Sequence, residues 1–269
     1  MKKQIHFICK LTITLCLLFS TKGGYAQNTD QDFTPHSGQE GKDVVWVPTP
    51  QTLVDTMLSL AKVTSADYVI DLGSGDGRLV ITAAKRGANA LGIEYNPNMV
   101  ALATRAAKEE GVSAKATFKQ ADIFESDFSK ATVITLFLMS DLNLRLRPKI
   151  LDMKPGTRIV SNTFDMSDWE PDKTTNLTYN ENWTTAHLWI VPAKVVGIWK
   201  YNDGQIEITQ NFQYITGTMT LGNKKMEFTG KLNGDKISFN AGDTEYTGTV
   251  NGNTMSGTRA GGGTWKATR

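Results

Sequence analysis

The sequence predicts an α/β protein: a Rossmann-like, doubly wound, mainly parallel sheet, followed by a C-terminal all-β antiparallel meander or partial barrel. From residue 67 onward, short apolar runs alternate with runs whose apolar residues have helical spacing. That alternation is typical of parallel strands covered by helices on both faces. A glycine-rich turn, residues 71–78, separates the first apolar run from the helical run after it. Beyond about Val195 the helical spacing ends, and short β-like runs alternate with Asn-Gly and Gly-Asn turns.

The first part of the chain carries six predicted strands and four predicted helices. The strands are expected at 68–72, 90–94, 116–120, 133–138, 158–162 and 185–191. Helices are expected at 77–86, 98–110 and 142–153, and a further helix begins at Thr49 or Pro50, where two prolines end an extended segment. The run at 133–138 is apolar or β-branched throughout, as in a strand buried on both faces.

The second part of the chain contains an internal repeat. Residues 228–237 match residues 246–255 at an offset of eighteen positions, and residues 214–219 are a degenerate third copy. Asn-Gly turns between alternating runs indicate hairpins. The repeat therefore predicts a meander of roughly six or more strands, with Trp199 and Trp265 filling its two ends.

The N-terminus has the pattern of an export signal. Lys2 and Lys3 precede an apolar run at 11–20, and Gly-Tyr-Ala at 24–26 predicts cleavage after Ala26. That run is too short to span a bilayer, so we expect a periplasmic or secreted protein without a stable membrane anchor. Both cysteines lie in this segment, which leaves none for disulfides or thiolate sites.

The predicted organisation has four parts. They are a signal segment at 1–26, a flexible leader at 27–43, an α/β domain at 44–194 and a β-rich domain at 195–269. The net charge of +2 gives no general case for binding nucleic acid. His36 and His187 have no partner at metal-ligand spacing, so no metal site is expected.

Three acids follow three successive strands of the α/β part. Asp71 ends the first strand, Glu94 ends the second 23 positions later, and Asp122 follows the third. Strand ends of a parallel sheet meet at one edge, where ligands bind. Glu94 suits the two hydroxyls of a ribose, and Asp122 suits an adenine amino group with Ile123 packed on the ring.

These acids favour S-adenosylmethionine over a dinucleotide. A dinucleotide site has Gly-x-Gly-x-x-Gly, whereas here the glycines are Gly73, Gly75 and Gly77. Asp71 and Asp76 would repel a pyrophosphate and attract the sulfonium and ammonium groups of S-adenosylmethionine. The predicted cofactor-binding residues are Asp71, Gly73, Ser74, Gly75, Glu94, Asn96, Asp122 and Ile123.

Five segments carry a family resemblance. They are Val-Pro-Thr-Pro at 47–50, Asp-Leu-Gly-Ser-Gly-Asp-Gly-Arg at 71–78, Gly-Ile-Glu-Tyr-Asn at 92–96, Asn-Leu-Arg-Leu-Arg-Pro-Lys at 143–149 and Pro-Gly-Thr-Arg-Ile-Val-Ser at 155–161. Over about residues 44–170 the chain resembles the class I, seven-strand S-adenosylmethionine-dependent methyltransferases. More narrowly it is similar to the small protein-lysine methyltransferases related to the enzyme that acts on the ATP synthase c-subunit. The resemblance implies a lysine acceptor, a methyltransferase domain at 44–194, and an active-site entrance beside Pro48 and Thr49.

The loop after the fourth strand supplies the candidate catalytic residues. Methyl transfer requires that the nucleophile be aligned with the methyl group and, for lysine, be neutral. Asp141 is expected to orient or deprotonate an amine and Asn143 to hydrogen-bond it; the alternative is a loop residue and a helix cap. Two other functions stay open, namely an exported, non-catalytic binding protein on the same fold and a small-molecule methyltransferase.

Overall fold

A computed structural model describes residues 33–177 and 184–269. The predicted signal segment, residues 1–26, lies outside the described residues. Four helices occur in the described part: α1 Gln51–Leu60, α2 Arg78–Lys85, α3 Pro97–Glu109 and α4 Ser140–Leu151. Seven strands accompany them: β1 Tyr68–Leu72, β2 Asn89–Glu94, β3 Ala116–Gln120, β4 Val133–Leu136, β5 Arg158–Asn162, β6 Lys173–Asn176 and β7 Thr185–Ile190. Eight more follow: β8 Gly197–Tyr201, β9 Gly204–Asn211, β10 Tyr214–Leu221, β11 Lys224–Asn233, β12 Lys236–Ala241, β13 Thr244–Asn251, β14 Thr254–Arg259 and β15 Thr264–Thr268.

The first seven strands form one sheet in the order β3-β2-β1-β4-β5-β7-β6. Strands β1 to β5 run parallel, whereas β7 and β6 are antiparallel to their neighbours. The order reverses between β1 and β4, which makes a topological switch point at the carboxyl edge of the sheet. This arrangement confirms the predicted Rossmann-like fold class.

The structure differs from the predicted elements at two strands and one helix. Strand β4 ends at Leu136 rather than at residue 138, because Phe137 and Leu138 leave the sheet and line a cavity. Strand β6 was not predicted, because Lys-Thr-Thr-Asn is a mostly exposed edge strand with no apolar face to give a period of two. Helix α4 starts two residues before its predicted start and contains Pro148 without ending there.

The second set of strands forms a closed barrel in the order β10-β11-β12-β13-β14-β15-β8-β9. The predicted meander is thus complete, because β15 pairs with β8 through Ala267–Tyr201 and Thr268–Lys200. Its interior is filled by apolar and aromatic side chains, among them Trp199 and Trp265. No helix in the described ranges is both long and apolar enough to span a bilayer.

Glycines explain the eighteen-residue repeat. A β-carbon at Gly230 would lie 2.5 Å from Cβ of Phe239 on the paired strand, and one at Gly248 would lie 2.8 Å from the Trp265 ring. Inward glycines of the barrel therefore pack against aromatic residues of neighbouring strands, which keeps the narrow interior filled. The Thr-Gly pairs in the repeat mark these positions.

Candidate active site

A cavity of about 310 Å³ lies at the carboxyl edge of the parallel strands. Its walls come from the glycine turn, the end of β2, the residues after β3 and β4, Phe164 after β5, and residues 39–49. All the predicted cofactor-binding residues line it: Asp71, Gly73, Ser74, Gly75, Glu94, Asn96, Asp122 and Ile123. The structure thus brings the three strand-end acids together in one site.

Asp71 is the deepest of the three acids. It is 6% exposed, and its Oδ1 accepts a hydrogen bond of 2.6 Å from the Thr135 hydroxyl on the neighbouring strand β4. Burial raises the pKa of Asp71 to about 7, with a smaller contribution from the charges of Glu94 and Asp76 and against the lowering effect of the Thr135 hydrogen bond. A cation placed beside this carboxyl would lower its pKa and stabilise the charged form.

Glu94 fixes the glycine turn as well as facing the cavity. Its Oε2 accepts the backbone N–H of Gly75 at 3.0 Å and its Oε1 accepts that of Asn96 at 2.9 Å. Each carboxylate oxygen keeps a second lone pair for a ligand hydroxyl. Asn96 in turn caps helix α3, because its side chain accepts the N–H of Asn98 at 2.9 Å.

The glycine turn uses backbone conformations that other residues avoid. Gly73, Gly75 and Gly77 have φ of 82°, 53° and 80°. Gly77 also permits close packing, because a β-carbon there would lie 2.6 Å from Phe118 Cζ and 2.7 Å from Ala103 Cβ. The third glycine therefore holds helix α2 against its neighbours, and its position departs from the dinucleotide pattern.

Ser74 occupies the turn differently from the glycines. Its hydroxyl is buried and has no hydrogen-bond partner among the described residues. A β-carbon built at Gly92 would lie 2.4 Å from this hydroxyl oxygen, so Ser74 sits directly above the second strand. Ser74 thus lines the cavity while its Oγ packs over Gly92, which accounts for the glycine at position 92.

Asp122 is already engaged by a lysine. Its Oδ1 accepts the Phe124 N–H at 2.9 Å, and its Oδ2 pairs with Lys42 Nζ at 2.5 Å. The hydrogen bond from Lys42, followed by that from Phe124, lowers the pKa of Asp122. Lys42 also lies 5.2 Å from the Tyr95 ring centroid. The predicted adenine end of the cavity therefore contains a cation.

Lys42 belongs to a hairpin that covers the cavity, hereafter the cover segment, residues 38–47. Gly38 N–H donates to the Trp46 carbonyl at 2.8 Å, and Trp46 N–H donates to the Gln39 carbonyl at 2.9 Å. The sequence prediction assigned residues 27–43 to a flexible leader; instead, residues 39–43 line the cavity. The sequence predicts solvated chain here because the run consists of Gly, Glu, Lys and Asp. The partner of Lys42 is 80 residues away, so no local pattern indicates their contact.

The predicted entrance residues directly follow the cover segment in the chain. Pro48 and Thr49 line the cavity, and Thr49 is 7% exposed. Its hydroxyl accepts the Asn162 amide at 3.2 Å, and its carbonyl accepts Arg78 Nη1 at 2.7 Å. Arg78 also forms an ion pair with Asp76 at 2.6 Å, so one guanidinium links the turn to the entrance.

The two candidate catalytic residues are not in the cavity wall. Asp141 is exposed in the first turn of α4. Asn143 is fully buried, and its amide donates to the carbonyls of Phe164 and Asp165 at 3.2 and 3.1 Å. Asn143 therefore holds the chain after β5, while Phe137, Met139 and Phe164, which were not among the predicted site residues, line the cavity.

Comparison with known proteins agrees with this architecture. Residues 71–173 match the ANTKMT methyltransferase domain. A protein-lysine N-methyltransferase of Saccharolobus islandicus (strain REY15A) is 39% identical over 151 residues, which cover 55% of this chain and 94% of that protein. The chain belongs to the ANTKMT-type S-adenosylmethionine-dependent methyltransferases.

Two further relatives widen the comparison. The human lysine N-methyltransferase of the ATP synthase c-subunit is 31% identical over 131 residues, which cover 48% of this chain and 56% of that protein. The chain thus spans about half the length of that relative. A crystal structure described as an RNA methyltransferase from Salinibacter ruber in complex with S-adenosyl-L-homocysteine is 46% identical. It covers 55% of this chain and 96% of that chain, with a TM-score of 0.53.

The cavity of this methyltransferase fits its cofactor, S-adenosylmethionine. The cofactor supplies a methyl group on a positively charged sulfur. Asp71 offers a buried carboxyl, and a cation beside it would lower its raised pKa. The carboxylates of Glu94 and Asp122 keep lone pairs that can accept hydrogen bonds from hydroxyl and amino groups. The positive φ angles of Gly73 and Gly75 let the backbone turn border the cavity without side chains in the way.

Proposed function

We propose that this protein transfers a methyl group from S-adenosylmethionine to lysine side chains of proteins. The observation that carries the proposal is the charge of the cavity wall. Six acids line it: Glu40, Asp43, Asp71, Asp76, Glu94 and Asp122. Its only described cations are Lys42 and Arg78, and both are already paired with acids of the wall. A wall with this excess of negative charge attracts an ammonium group.

The chemistry requires few groups from the protein. The lone pair of the lysine nitrogen forms a bond to the methyl carbon while the carbon–sulfur bond breaks and leaves a neutral thioether. The lysine must first release its proton, and the acceptor is solvent or a carboxylate of the wall rather than Asp141, which lies outside it. Phe137 and Phe164, whose ring centroids are 6.1 Å apart, provide apolar walls that favour the neutral amine.

A nucleic-acid acceptor is the second candidate, because the Salinibacter ruber relative is described as an RNA methyltransferase. The negative wall argues against it, since phosphates would approach six acids. A small-molecule acceptor and a non-catalytic binding role are the remaining alternatives. The protein-lysine relatives and the charge of the wall support lysine over these three.

Tritiated S-adenosylmethionine tests the acceptor directly. The purified protein is incubated with a cell-envelope protein extract, with the same extract after its lysines are acetylated, and with total RNA. We expect label in the first extract only, and loss of that label with the Asp71→Asn variant. Label in RNA, label that survives acetylation, or cofactor binding without any transfer would each replace the lysine proposal with one of its alternatives.

We also propose that the protein is exported, on the basis of the signal pattern at residues 1–26. Mass spectrometry of protein recovered from the periplasm or medium should find an N-terminus at Gln27. A cytoplasmic protein that retains Met1 or residues 2–26 would contradict this part of the proposal.

A further inference from the structure

The loop after β5, residues 163–172, contacts the barrel and contributes to the cavity wall; we call it the acceptor-side loop. It carries Phe164 into the cavity wall near its start. Thr163 and Ser167 have φ of 61° and 56°, a left-handed conformation that costs a non-glycine residue free energy. Such residues persist only where the surroundings hold them in place. The position of Phe164 therefore depends on what holds this loop.

Helix α4 holds one side of the loop. Asn143 donates to the carbonyls of Phe164 and Asp165, as described above. Arg147 donates to the Met166 carbonyl at 2.9 Å and pairs with Asp168. These bonds reach the loop as far as Asp168 and leave its second half to other contacts.

The barrel holds that second half, through the turn between β9 and β10. Gln213 in this turn is fully buried. Its Oε1 accepts the Trp169 indole N–H at 3.0 Å, and its Nε2 donates to the Glu170 carbonyl at 2.8 Å. The neighbouring Phe212 ring stacks on Trp169 with centroids 5.7 Å apart and an interplanar angle of 15°.

Further contacts make this a firm attachment. Trp169 is fully buried, and its carbonyl accepts the Trp189 indole N–H from strand β7 at 2.7 Å. Lys231 of the barrel pairs with Asp172 at the end of the loop at 3.0 Å. The Arg147 guanidinium, which holds Met166, also lies 5.3 Å from the Phe212 ring centroid. One arginine thus contacts both the loop and the barrel turn.

We propose that the barrel turn Phe212–Gln213 positions the acceptor-side loop, so that the C-terminal barrel sets the acceptor side of the active site. Gln213 is a positioning residue, since it acts through Trp169 and does not line the cavity. The cofactor acids lie on β1, β2 and the segment after β3, and none of them belongs to this loop. Loss of the turn contacts should therefore weaken acceptor binding and leave cofactor binding intact.

The chain offers a matched pair of variants. Gln213→Ala removes the buried amide, whereas Gln205→Ala makes the same change at an exposed position of β9. Hydrogen exchange of the amides at 163–172 should rise at least about tenfold in Gln213→Ala and stay unchanged in Gln205→Ala. This readout needs no acceptor, so it stands even if the lysine proposal fails.

Two functional measurements distinguish a loss of loop positioning from general disruption of the protein. With poly-L-lysine as the probe, KM should rise about tenfold in Gln213→Ala. The Kd for S-adenosylhomocysteine, measured by calorimetry, should stay within about twofold. Gln213→Glu keeps the acceptor for the Trp169 indole and replaces the amide donor to Glu170 with a carboxyl, so its KM should fall between those of Gln213→Ala and the parent.

Three results would overturn the proposal. They are unchanged exchange of the loop amides in Gln213→Ala, unchanged KM for poly-L-lysine despite faster exchange, or a loss of S-adenosylhomocysteine affinity as large as the rise in KM. If Gln213→Ala also exposes barrel amides to exchange, Trp169→Phe carries the same test from the loop side, because it removes the indole donor to Gln213 and keeps an aromatic ring beside Phe212. Unchanged exchange and KM in Trp169→Phe would then overturn the proposal.

Discussion

The Trp46 indole lies against the backbone of Gly75: a β-carbon on Gly75 would be 2.4 Å from Trp46 Nε1 and 2.9 Å from its Cδ1. The cover segment thus packs directly on the glycine turn at the point where Glu94 accepts the Gly75 N–H. Gly75 borders both the cofactor cavity and the cover segment. A side chain at this position would therefore disturb both.

Gly75→Ala should weaken cofactor binding through both the turn and the cover segment. The φ of 53° strains alanine, and the new methyl group displaces Trp46. We expect the Kd for S-adenosylmethionine, measured by calorimetry, to rise at least about tenfold. Gly111→Ala is the control, since Gly111 has a φ of 68° but no atom within 4 Å of a built β-carbon. A Kd unchanged in both variants would show that the contact with Trp46 is dispensable.

Gly77→Ala should affect stability rather than binding alone. A β-carbon there would lie 2.6 Å from the Phe118 ring and 2.7 Å from Ala103, so helix α2 must move away from its neighbours. Strain and overpacking together should lower the free energy of unfolding by roughly 2–4 kcal/mol. Urea titration of Gly77→Ala beside Gly111→Ala measures the difference, and equal midpoints for the two variants would contradict the packing role.

Asp71 should make cofactor affinity depend on pH. Burial raises its pKa from 3.8 to about 7, so the folded, cofactor-free protein holds a proton that the unfolded chain has lost between those values. The free energy of unfolding contributed by Asp71 therefore falls as the pH rises from about 4 to about 7. Binding of a cationic cofactor favours the ionised carboxyl, so affinity for S-adenosylmethionine should rise with pH up to about 7 and then level off.

Asp71→Asn separates these two effects. The amide keeps an acceptor for the Thr135 hydroxyl but cannot ionise. We expect a higher melting temperature for the cofactor-free variant at pH 8 than for the parent, together with weak, pH-independent binding of S-adenosylmethionine. Asp152→Asn, at an exposed position, should change neither property. Binding in Asp71→Asn that still rises with pH would assign the titration to another group.

The strand-end acids were predictable because each directly follows a short strand-like run, and the fold places the ends of β1, β2 and β3 side by side. The cover segment was not predictable, because its polar residues resemble solvated chain until Asp122 is placed beside Lys42. Closure of the barrel was equally hidden. The repeat predicts strands, but closure depends on the pairing of β8 with β15, which lie at opposite ends of the second half of the chain.

The acceptor side was the hardest part to predict. The sequence predicts substrate contact for Asn143 because it follows β4. In the structure its amide instead donates to two carbonyls of the acceptor-side loop. That loop has no periodicity, and its Trp169 meets Gln213 across 44 residues. Contacts of that range carry no local sequence signal, since neither residue belongs to a motif.

Lys42 and Asp122 call for a double-mutant cycle on cofactor affinity. Asp122 can serve the cofactor itself, or it can serve only to hold Lys42 and the cover segment. We expect Asp122→Ala to raise the Kd for S-adenosylmethionine about tenfold in the parent and again in the Lys42→Ala background, because adenine needs an acceptor there. If Asp122→Ala has no effect once Lys42 is removed, the carboxylate acts only through the cover segment.

Arg78 links the glycine turn to the entrance, and Arg78→Lys should break that link while the charge remains. The guanidinium contacts Asp76 through Nε and Nη2 and donates to the Thr49 carbonyl through Nη1. A lysine ammonium is a single point charge and cannot reproduce this fork. We expect kcat/KM for poly-L-lysine to fall about tenfold with the Kd for S-adenosylhomocysteine within about threefold of the parent. Arg86→Lys, at an exposed ion pair with Asp55, is the matched control and should leave both values unchanged. An equal loss of acceptor turnover and cofactor affinity in Arg78→Lys would place the role of Arg78 in the glycine turn alone.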